Sequence, residues 1–452
     1  MSLTTRAGLL AGATALTLSG VAAAATTDAN NDELKAQVQK LSARVAELEG
    51  AQGGNWLTEQ RAAEIRSVVQ DVLADADTRA SLLGSGMSAG YDNGFTVGSA
   101  DGNFLLRTNG LLQARWIYNH RKNPSGVIGV DRHRSGFEAN RVQLWFSGHV
   151  VNPNWRYMIE MDLDRFGGGG FELLDAYIQH VCDNGLIVTV GQFQLPFLRE
   201  QAIHPMHQLA VERSLLHTYW GVGRSQGIQV QWNPNDFLRF YGAYSNGMAA
   251  FGNLASTNNW SAYDTEYAFT ARGEWLVSGN WSDFNDYRSE NTANSSILLG
   301  GAIHYERAEF GVFGITKPEI FRATVDAMIK FGQVSIFGAY IFNHFDPNVV
   351  GGGNLDDHSF LVQLGLTLNT NWDVFLRYEH TLYDNARMAD DLSILTGGVN
   401  YYFAGHQAKM TADIGYGFND VFYGTGSSQT GWRADNGRKG QWVIRTQLQL
   451  GF

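Results

Sequence analysis

Hydrophobic and polar residues alternate along the last thirteen positions of the chain, residues 440–452. One face of this segment carries Trp442, Ile444, Thr446, Leu448, Leu450 and Phe452, and the other carries Arg445, Gln447 and Gln449. A period of two residues is that of a β-strand with one apolar and one hydrated face. The pattern predicts a final strand that seals an antiparallel sheet into a barrel.

The same alternation recurs in sixteen segments from about residue 104 onward. Their centres lie near Leu111, Leu144, Ile159, Ile178, Val188, Val230, Phe240, Ala271, Gly301, Val325, Ile336, Leu364, Leu376, Thr396, Ala412 and Leu448. Short turns such as 152–154 and 369–371 alternate with long polar loops such as 194–226 and 419–439. Short and long connections belong to opposite rims of one barrel. The connection 278–295 does not follow this rule, because it is long at a position where the alternation predicts a short turn.

Aromatic residues on the outward face of these segments cluster at strand ends. They are Trp116, Tyr118, Trp155, Tyr157, Trp232, Trp372, Tyr416, Phe418 and Trp442. Two aromatic girdles are typical of a barrel that meets two lipid headgroup layers. Backbone groups in lipid need protein partners, which a closed sheet supplies, and sixteen strands leave an aqueous bore.

The first hundred residues differ from the rest of the chain. Residues 1–25 have one positive charge, an apolar run and a small-residue end, and they are interpreted as an export signal. Residues 26–50 carry a heptad seam of Val and Leu, which predicts a short periplasmic coiled coil, and residues 51–102 are assigned to a helical linker. The expected fold is therefore all-β: a sixteen-stranded antiparallel transmembrane β-barrel over residues 103–452, preceded by a short α-helical coiled coil.

Composition narrows the class of partner. A formal net charge of -11 argues against nucleic acid, and the single cysteine, Cys182, excludes an internal disulfide. Of 33 basic residues, seven are Lys and 26 are Arg. Arg suits fixed pairing with carboxylates or oxyanions, although a high-GC codon bias explains the ratio equally well. The chain carries no pattern for a cofactor, and His204 and His207 lack the companions that a zinc site needs.

Several short stretches carry a family resemblance. They are 91–95 and 101–104, Asp175-Ala176-Tyr177-Ile178-Gln179, Gly191-Gln192-Phe193-Gln194-Leu195-Pro196-Phe197, Val211-Glu212-Arg213-Ser214 and Gly223-Arg224-Ser225-Gln226-Gly227. In this order and with this strand count, the chain resembles the phosphate-selective O/P-type outer-membrane porins, in a planctomycete-like variant with an N-terminal coiled coil. The resemblance implies a homotrimer in the outer membrane of a Gram-negative-type bacterium, with the third long loop folded into each bore.

Charged residues on the inward parity are the candidate pore lining. We assign to it Arg107, Arg115, Arg141, Arg156, Arg239, Arg272, Arg377, Arg445, Glu160, Asp162 and Asp175. Opposed charges of both signs would screen solutes by charge and dipole. For any single residue, a hydrated and locally paired side chain without influence on selectivity is the favoured interpretation.

The loop 194–226 is the predicted constriction, with Arg199, Arg213, Arg224 and Glu212 as its charged groups. By analogy with the family, Arg213 and Arg224 are the anion-facing groups, although Arg213 could instead tie the loop to the wall through a carboxylate. Glu160, Asp162 and Asp164 face the same side, which suits a cation step or a calcium site. The favoured interpretation is that they are partners of neighbouring arginines such as Arg156.

These features favour a passive porin for small hydrophilic solutes and ions, including anions such as phosphate. Its partners would be outer-membrane lipid, the solutes, two further copies of the chain, and the cell wall by way of the coiled coil. The nearly balanced lining favours a general or weakly selective pore. A structural or adhesive surface protein with a plugged barrel is the alternative, and a hydrolase is disfavoured because no catalytic constellation stands out.

Overall fold

The computed structural model describes residues 39–40, 42–43, 86–122, 132–163, 170–248, 265–290, 292–308, 317–349, 352–387, 391–421, 430–433 and 439–452. The chain divides into two compact units, Met1–Arg107 and Thr108–Phe452. The export signal, nearly all of the coiled coil and the first part of the linker lie outside the described residues. Their assignments stay predictions.

The described end of the first unit is a β-hairpin. Strands β1 (Met87–Tyr91) and β2 (Phe95–Ser99) pair antiparallel. The turn contains Asn93 and Gly94, both at positive φ (47° and 140°), and Asn-Gly is a favoured hairpin turn. The helical assignment of residues 51–102 is therefore wrong from residue 87 onward. Short-range turn chemistry decides the structure there.

Residues 105–452, which are the second unit and the three residues before it, contain the sixteen strands of a closed antiparallel β-barrel. The strands are β3 (Leu105–His120), β4 (His133–His149), β5 (Trp155–Asp162), β6 (Glu172–Val181), β7 (Leu186–Gln194), β8 (Arg224–Asn235), β9 (Leu238–Ser245), β10 (Thr265–Ser278), β11 (Thr292–Ala308), β12 (Glu319–Gly332), β13 (Val334–Asp346), β14 (Leu355–Asn369), β15 (Trp372–Leu382), β16 (Leu392–Ala404), β17 (Ala408–Gly417) and β18 (Gln441–Gly451). Each predicted strand centre falls within one of them, so the predicted strand count is confirmed.

The last strand closes the barrel as its alternation predicts. β18 pairs with β3 from Trp442 opposite His120 to Gly451 opposite Leu111. Leu448 and Leu450 are about half exposed on the outer face, whereas Arg445, on the inner face, is 1% exposed. The outward aromatic Trp155, Trp232, Trp372, Phe418 and Trp442 are exposed as well. No helix in the described part of the chain is both long enough and apolar enough to cross a membrane.

The interior of the barrel is asymmetric. On strands β10 to β15 many inward-facing residues are apolar and buried, among them Leu298, Met328, Phe337, Ile341 and Leu361. They pack against a segment inside the bore that contains two short helices, α1 (Arg199–Ala202) and α2 (Leu215–Trp220), and a 3-10 turn (Pro205–His207). Two further 3-10 turns lie at Trp281–Phe284 and Asn385–Arg387.

Candidate functional site

The connection between β7 and β8, residues 195–223, is called the constriction loop here. Its apolar side chains are almost fully buried: Leu195, Phe197, Ile203, Leu209, Leu215 and Leu216 are each at most 2% exposed. They belong to the same core cluster as the inward apolar residues of the wall. Because apolar side chains leave water when they pack together, this burial holds the loop inside the barrel. The predicted inward course of the loop is thus seen.

Polar wall residues bind the backbone of the constriction loop. Arg272 donates to the Phe197 carbonyl (2.9 Å), Lys409 to Gln208 (2.8 Å), Asn400 to Leu209 (2.9 Å) and Arg322 to Gly221 (3.1 Å), while Asp413 accepts from the Val211 N–H (2.9 Å) and Glu379 from the Leu215 N–H (2.6 Å). Buried polar groups need such partners. The inward charges on this side of the wall therefore anchor the loop.

Arg272, Arg377 and Arg445 illustrate this placement. All three lie on the predicted inward parity, yet they are 5%, 2% and 1% exposed. Arg272 pairs with Asp326 (2.8 Å) and Arg445 with Asp413 (2.7 Å). Parity places all three on the inner face. Arg272 and Arg377 donate to constriction-loop carbonyls, whereas Arg445 donates to the Thr430 carbonyl in the β17–β18 connection (2.7 Å). They support the lining rather than forming its surface.

Glu212 is the main charged anchor of the constriction loop. Its carboxylate accepts from Arg115, from Arg141 (2.7 Å) and from Asn140 (2.6 Å), and Arg377 donates to its carbonyl (2.9 Å). Burial by itself would raise the pKa of Glu212, but the Arg141 and Arg115 guanidiniums lower it to about 2. Glu212 therefore joins the loop to β3 and β4 on one side and to β15 on the other.

Arg213 braces the loop from within. Its guanidinium donates to the carbonyl oxygens of Glu200 (3.1 Å), Gln201 (3.4 Å) and Ile203 (2.7 Å). All three acceptors belong to the constriction loop itself. These hydrogen bonds therefore connect Arg213 to the loop backbone, and not to a carboxylate of the barrel wall as the sequence suggested.

A cavity of about 340 Å³ remains between the constriction loop and strands β4 to β6. Its charged and imidazole lining consists of Arg141, Arg213, Arg224, Glu160, Asp162, Asp175, Glu212, His204 and His217. Three guanidiniums thus face four carboxylates. Of the predicted constriction and lining residues, seven meet at this one place.

Arg224 sits at the centre of a cluster on the wall of this cavity. It contacts Asp175 at 2.9 Å and Glu160 at 3.5 Å. Asp162 accepts from Gln143 (3.1 Å). The partner of Glu160 is therefore Arg224 rather than Arg156, which donates to the Pro153 carbonyl at the short-turn rim (3.2 Å). The sequence does not indicate this pairing, because Glu160 and Arg224 lie far apart along the chain and the register of β8 places Arg224 beside Glu160.

The other predicted residues have different surroundings. Arg199, in α1 of the constriction loop, pairs with Glu274 of β10 (3.2 Å), and Arg115 is buried against Glu138 and Glu212. Arg239 stacks on Trp281, with 3.7 Å from Cζ to the ring centroid. Arg107 belongs to the hairpin unit, where it pairs with Asp92 (2.9 Å). These four side chains are not part of the cavity lining given above.

Sequence reasoning places Glu200 in the constriction loop and Glu379 on the inward parity, but it does not reveal what either carboxylate holds. Glu200 accepts from the Ser214 N–H (2.7 Å), and Glu379 accepts from the N–H of Leu215, the next residue. Both hold the start of α2. A buried acidic residue opposite a loop backbone leaves no local pattern, so only the folded contacts reveal it.

Comparison with known proteins fits this geometry. Residues 118–305 match the family described as phosphate-selective porin O and P. No curated protein sequence matches the chain. Two solved structures that it resembles are an anion-selective porin from Comamonas acidovorans (TM-score 0.54, 11% identity, 77% of this chain and 99% of that one) and the outer membrane channel DcaP of Acinetobacter baumannii (0.53, 12%, 78% and 99%).

Because the sequence identities are low, the structural likeness establishes the fold alone. A closed sixteen-stranded barrel with a loop folded into its bore defines the class, an outer-membrane porin channel. Over residues 118–305, less than half of its length, the chain is also similar to the phosphate-selective O and P porins.

Proposed function

We propose that this porin is a general diffusion channel of weak charge selectivity for small hydrophilic solutes and ions. The observation that carries the proposal is the lining of the cavity, in which Arg224 pairs with Asp175 and Glu160 while Arg141 pairs with Glu212. Charges that neutralise one another at close range leave a small net field for a passing ion. Steric size then decides passage more than sign.

Anions remain among the solutes that the channel would admit. Arg213 lines the cavity, and its hydrogen bonds go to neutral carbonyl oxygens, so its positive charge stays available to a passing anion. One structural relative is named an anion-selective porin. We therefore expect any residual preference for anions to depend on Arg213.

Assembly as a homotrimer completes the proposal. A related barrel, OmpT of Vibrio cholerae, is described in a trimer form (TM-score 0.50, 12% identity, 77% of this chain and 99% of that one). The heptad seam within residues 26–50 would add a periplasmic coiled coil that spaces the barrel from the cell wall. Chemical crosslinking of the intact protein, with and without residues 26–50, tests both parts.

Planar-bilayer recording tests the channel function and its selectivity together. We expect discrete conductance steps and a reversal potential near zero across a salt gradient. The double variant Arg213→Gln with Arg224→Gln should shift the reversal potential toward the value of a cation-selective channel, because the lining loses two positive charges. Glu160→Gln with Asp162→Asn, on the same cavity, should shift it toward anions. A strongly selective wild type, or two double variants with the wild-type potential, would contradict the proposal.

A further inference from the structure

The connection between β10 and β11 is long at the rim where the other described turns are short. Residues 279–290 of it are called the periplasmic insert here, since short turns mark the periplasmic rim of such barrels. The turns β12–β13, β14–β15 and β16–β17 have at most three residues between strands. The contacts of the periplasmic insert explain why a long connection occurs at this rim.

The insert turns inward at its first residue. Gly279 has φ +88°, and a Cβ there would lie 2.3 Å from the Ser296 hydroxyl oxygen, so glycine is required. Asp283 then accepts from the Asn280 N–H (2.8 Å) and from the Ser296 hydroxyl (2.6 Å). These bonds fix the 3-10 turn at Trp281–Phe284 against the start of β11.

The side chains that follow are buried inside the barrel. Phe284 is 0% exposed, and Tyr287 and Ser289 are each 1% exposed. The Tyr287 ring lies 5.3 Å from that of Phe337, an inward residue of β13. The insert therefore contributes to the same apolar core as the constriction loop.

Polar bonds tie the insert to four other places on the periplasmic rim. Trp281 donates to the Asp236 carbonyl in the β8–β9 turn (2.7 Å), and Ser289 donates to the Gly332 carbonyl at the end of β12 (2.8 Å). Arg288 donates to the Thr370 carbonyl in the β14–β15 turn (2.7 Å). His406 Nε2, in the β16–β17 turn, lies 3.2 Å from the Asp286 carboxylate. The insert thus extends across the mouth from β8 to β17. It lies beneath the half of the bore that the constriction loop fills.

The insert also touches the constriction loop directly. Arg199 donates to the Phe284 carbonyl, and His207 Nδ1 lies 3.1 Å from the Asn285 carbonyl oxygen. These two loop residues lie in α1 and in the 3-10 turn that follows it. The insert is therefore the floor on which the first half of the loop rests.

We infer that the periplasmic insert is a second constriction element: it closes the β8–β17 side of the periplasmic mouth and holds the constriction loop in place from below. Solutes leaving the cavity between the loop and β4 to β6 would then exit along that wall only. The inference rests on the proposed channel function. It adds a positioning role for Phe284, Arg288 and Asp286 that is separate from the residues lining the cavity.

Two variants of the full-length protein test it in planar bilayers. In the first, residues 279–290 are replaced by a two-residue Asn-Gly turn. In the second, Phe284→Ala is combined with Arg288→Gln, which keeps the chain length. Arg307→Gln is the matched control, because Arg307 also makes ion pairs, with Glu266 (3.3 Å) and Glu319 (3.4 Å), but at the opposite rim.

Both insert variants should show a higher single-channel conductance than the wild type, by roughly two-fold if the constriction loop, without its floor, leaves the half of the bore that it fills. They should also show more open-channel noise, because the loop loses its floor, while the control stays at the wild-type conductance. If the shortened protein does not fold, the point variant decides. Wild-type conductance in the folded insert variants overturns this inference alone, whereas a wild type without conductance overturns the channel function itself.

Discussion

At the scale of the residue, Gly191 shows how one position fixes the entry to the constriction loop. It lies in β7 with φ +132°, and a Cβ there would lie 2.3 Å from the Ala176 carbonyl oxygen and 2.9 Å from the Tyr177 Cα. Both obstacles are backbone atoms of β6, which cannot turn away as a side chain can. Glycine permits this bend four residues before the loop begins.

Gly191→Ala should therefore destabilise the barrel by about 1–3 kcal/mol, the range for a strained backbone residue. Gly242→Ala is the matched control, because Gly242 lies in β9 with open space around its Cβ position. Urea unfolding of the protein in lipid vesicles measures both free energies. Equal stability of the two variants would show that β6 and β7 accommodate the methyl group.

At the scale of the element, the constriction loop is held by burial and by one dominant charged anchor. Glu212 has a side chain 6% exposed and a folded-state pKa of about 2, below its ordinary 4.5. Between these two values the unfolded chain binds more protons than the folded one. The stability that Glu212 contributes is thus present above pH 4.5 and is lost as the pH falls toward 2.

Glu212→Gln should lower the free energy of unfolding at pH 7 by on the order of 3 kcal/mol, the equivalent of that pKa difference. The gap between variant and wild type should shrink as the pH falls below 4.5, because the wild type loses the charge as well. Glu290→Gln serves as the control, since that carboxylate is 74% exposed and should matter little. Urea unfolding at pH 7, 5 and 3 gives the comparison, and a gap that does not vary with pH would contradict this role.

At the scale of the whole molecule, the lipid-facing belt keeps the barrel in the membrane. Val325, at the middle of β12, points outward and is 59% exposed. Phe418 also faces outward but follows the last residue of β17, near the extracellular rim. The belt should be sensitive to charge in a depth-dependent way.

Val325→Arg should cost about 2–4 kcal/mol of stability in lipid vesicles, whereas Phe418→Arg should cost about 0–1 kcal/mol. The reason is that a guanidinium at the middle of the belt cannot reach water, while one at the rim can. Equilibrium refolding into vesicles measures both costs. Equal costs would mean that Val325 does not lie at the bilayer midplane.

Much of this architecture is readable from local pattern. Alternation with a period of two located all sixteen barrel strands, and the parity of each strand gave the outward Leu364 and the inward Arg445 correctly, because successive side chains of a strand must point to opposite faces. Connection lengths separated the two rims and singled out residues 278–295. The assignment of residues 51–102 to a helical linker misses the hairpin at residues 87–99.

Only the tertiary structure decided which charged side chains pair with one another and which are buried by the constriction loop. Parity placed Arg272 and Arg377 on the inner face, but it could not show that the constriction loop buries them, since that depends on where 29 residues of loop fold (195–223). Nor could it show that Glu160 meets Arg224 across 64 positions, or that the periplasmic insert crosses the mouth. A strand's period constrains direction along one chain segment, whereas contacts inside a bore depend on which segments the closed barrel brings together.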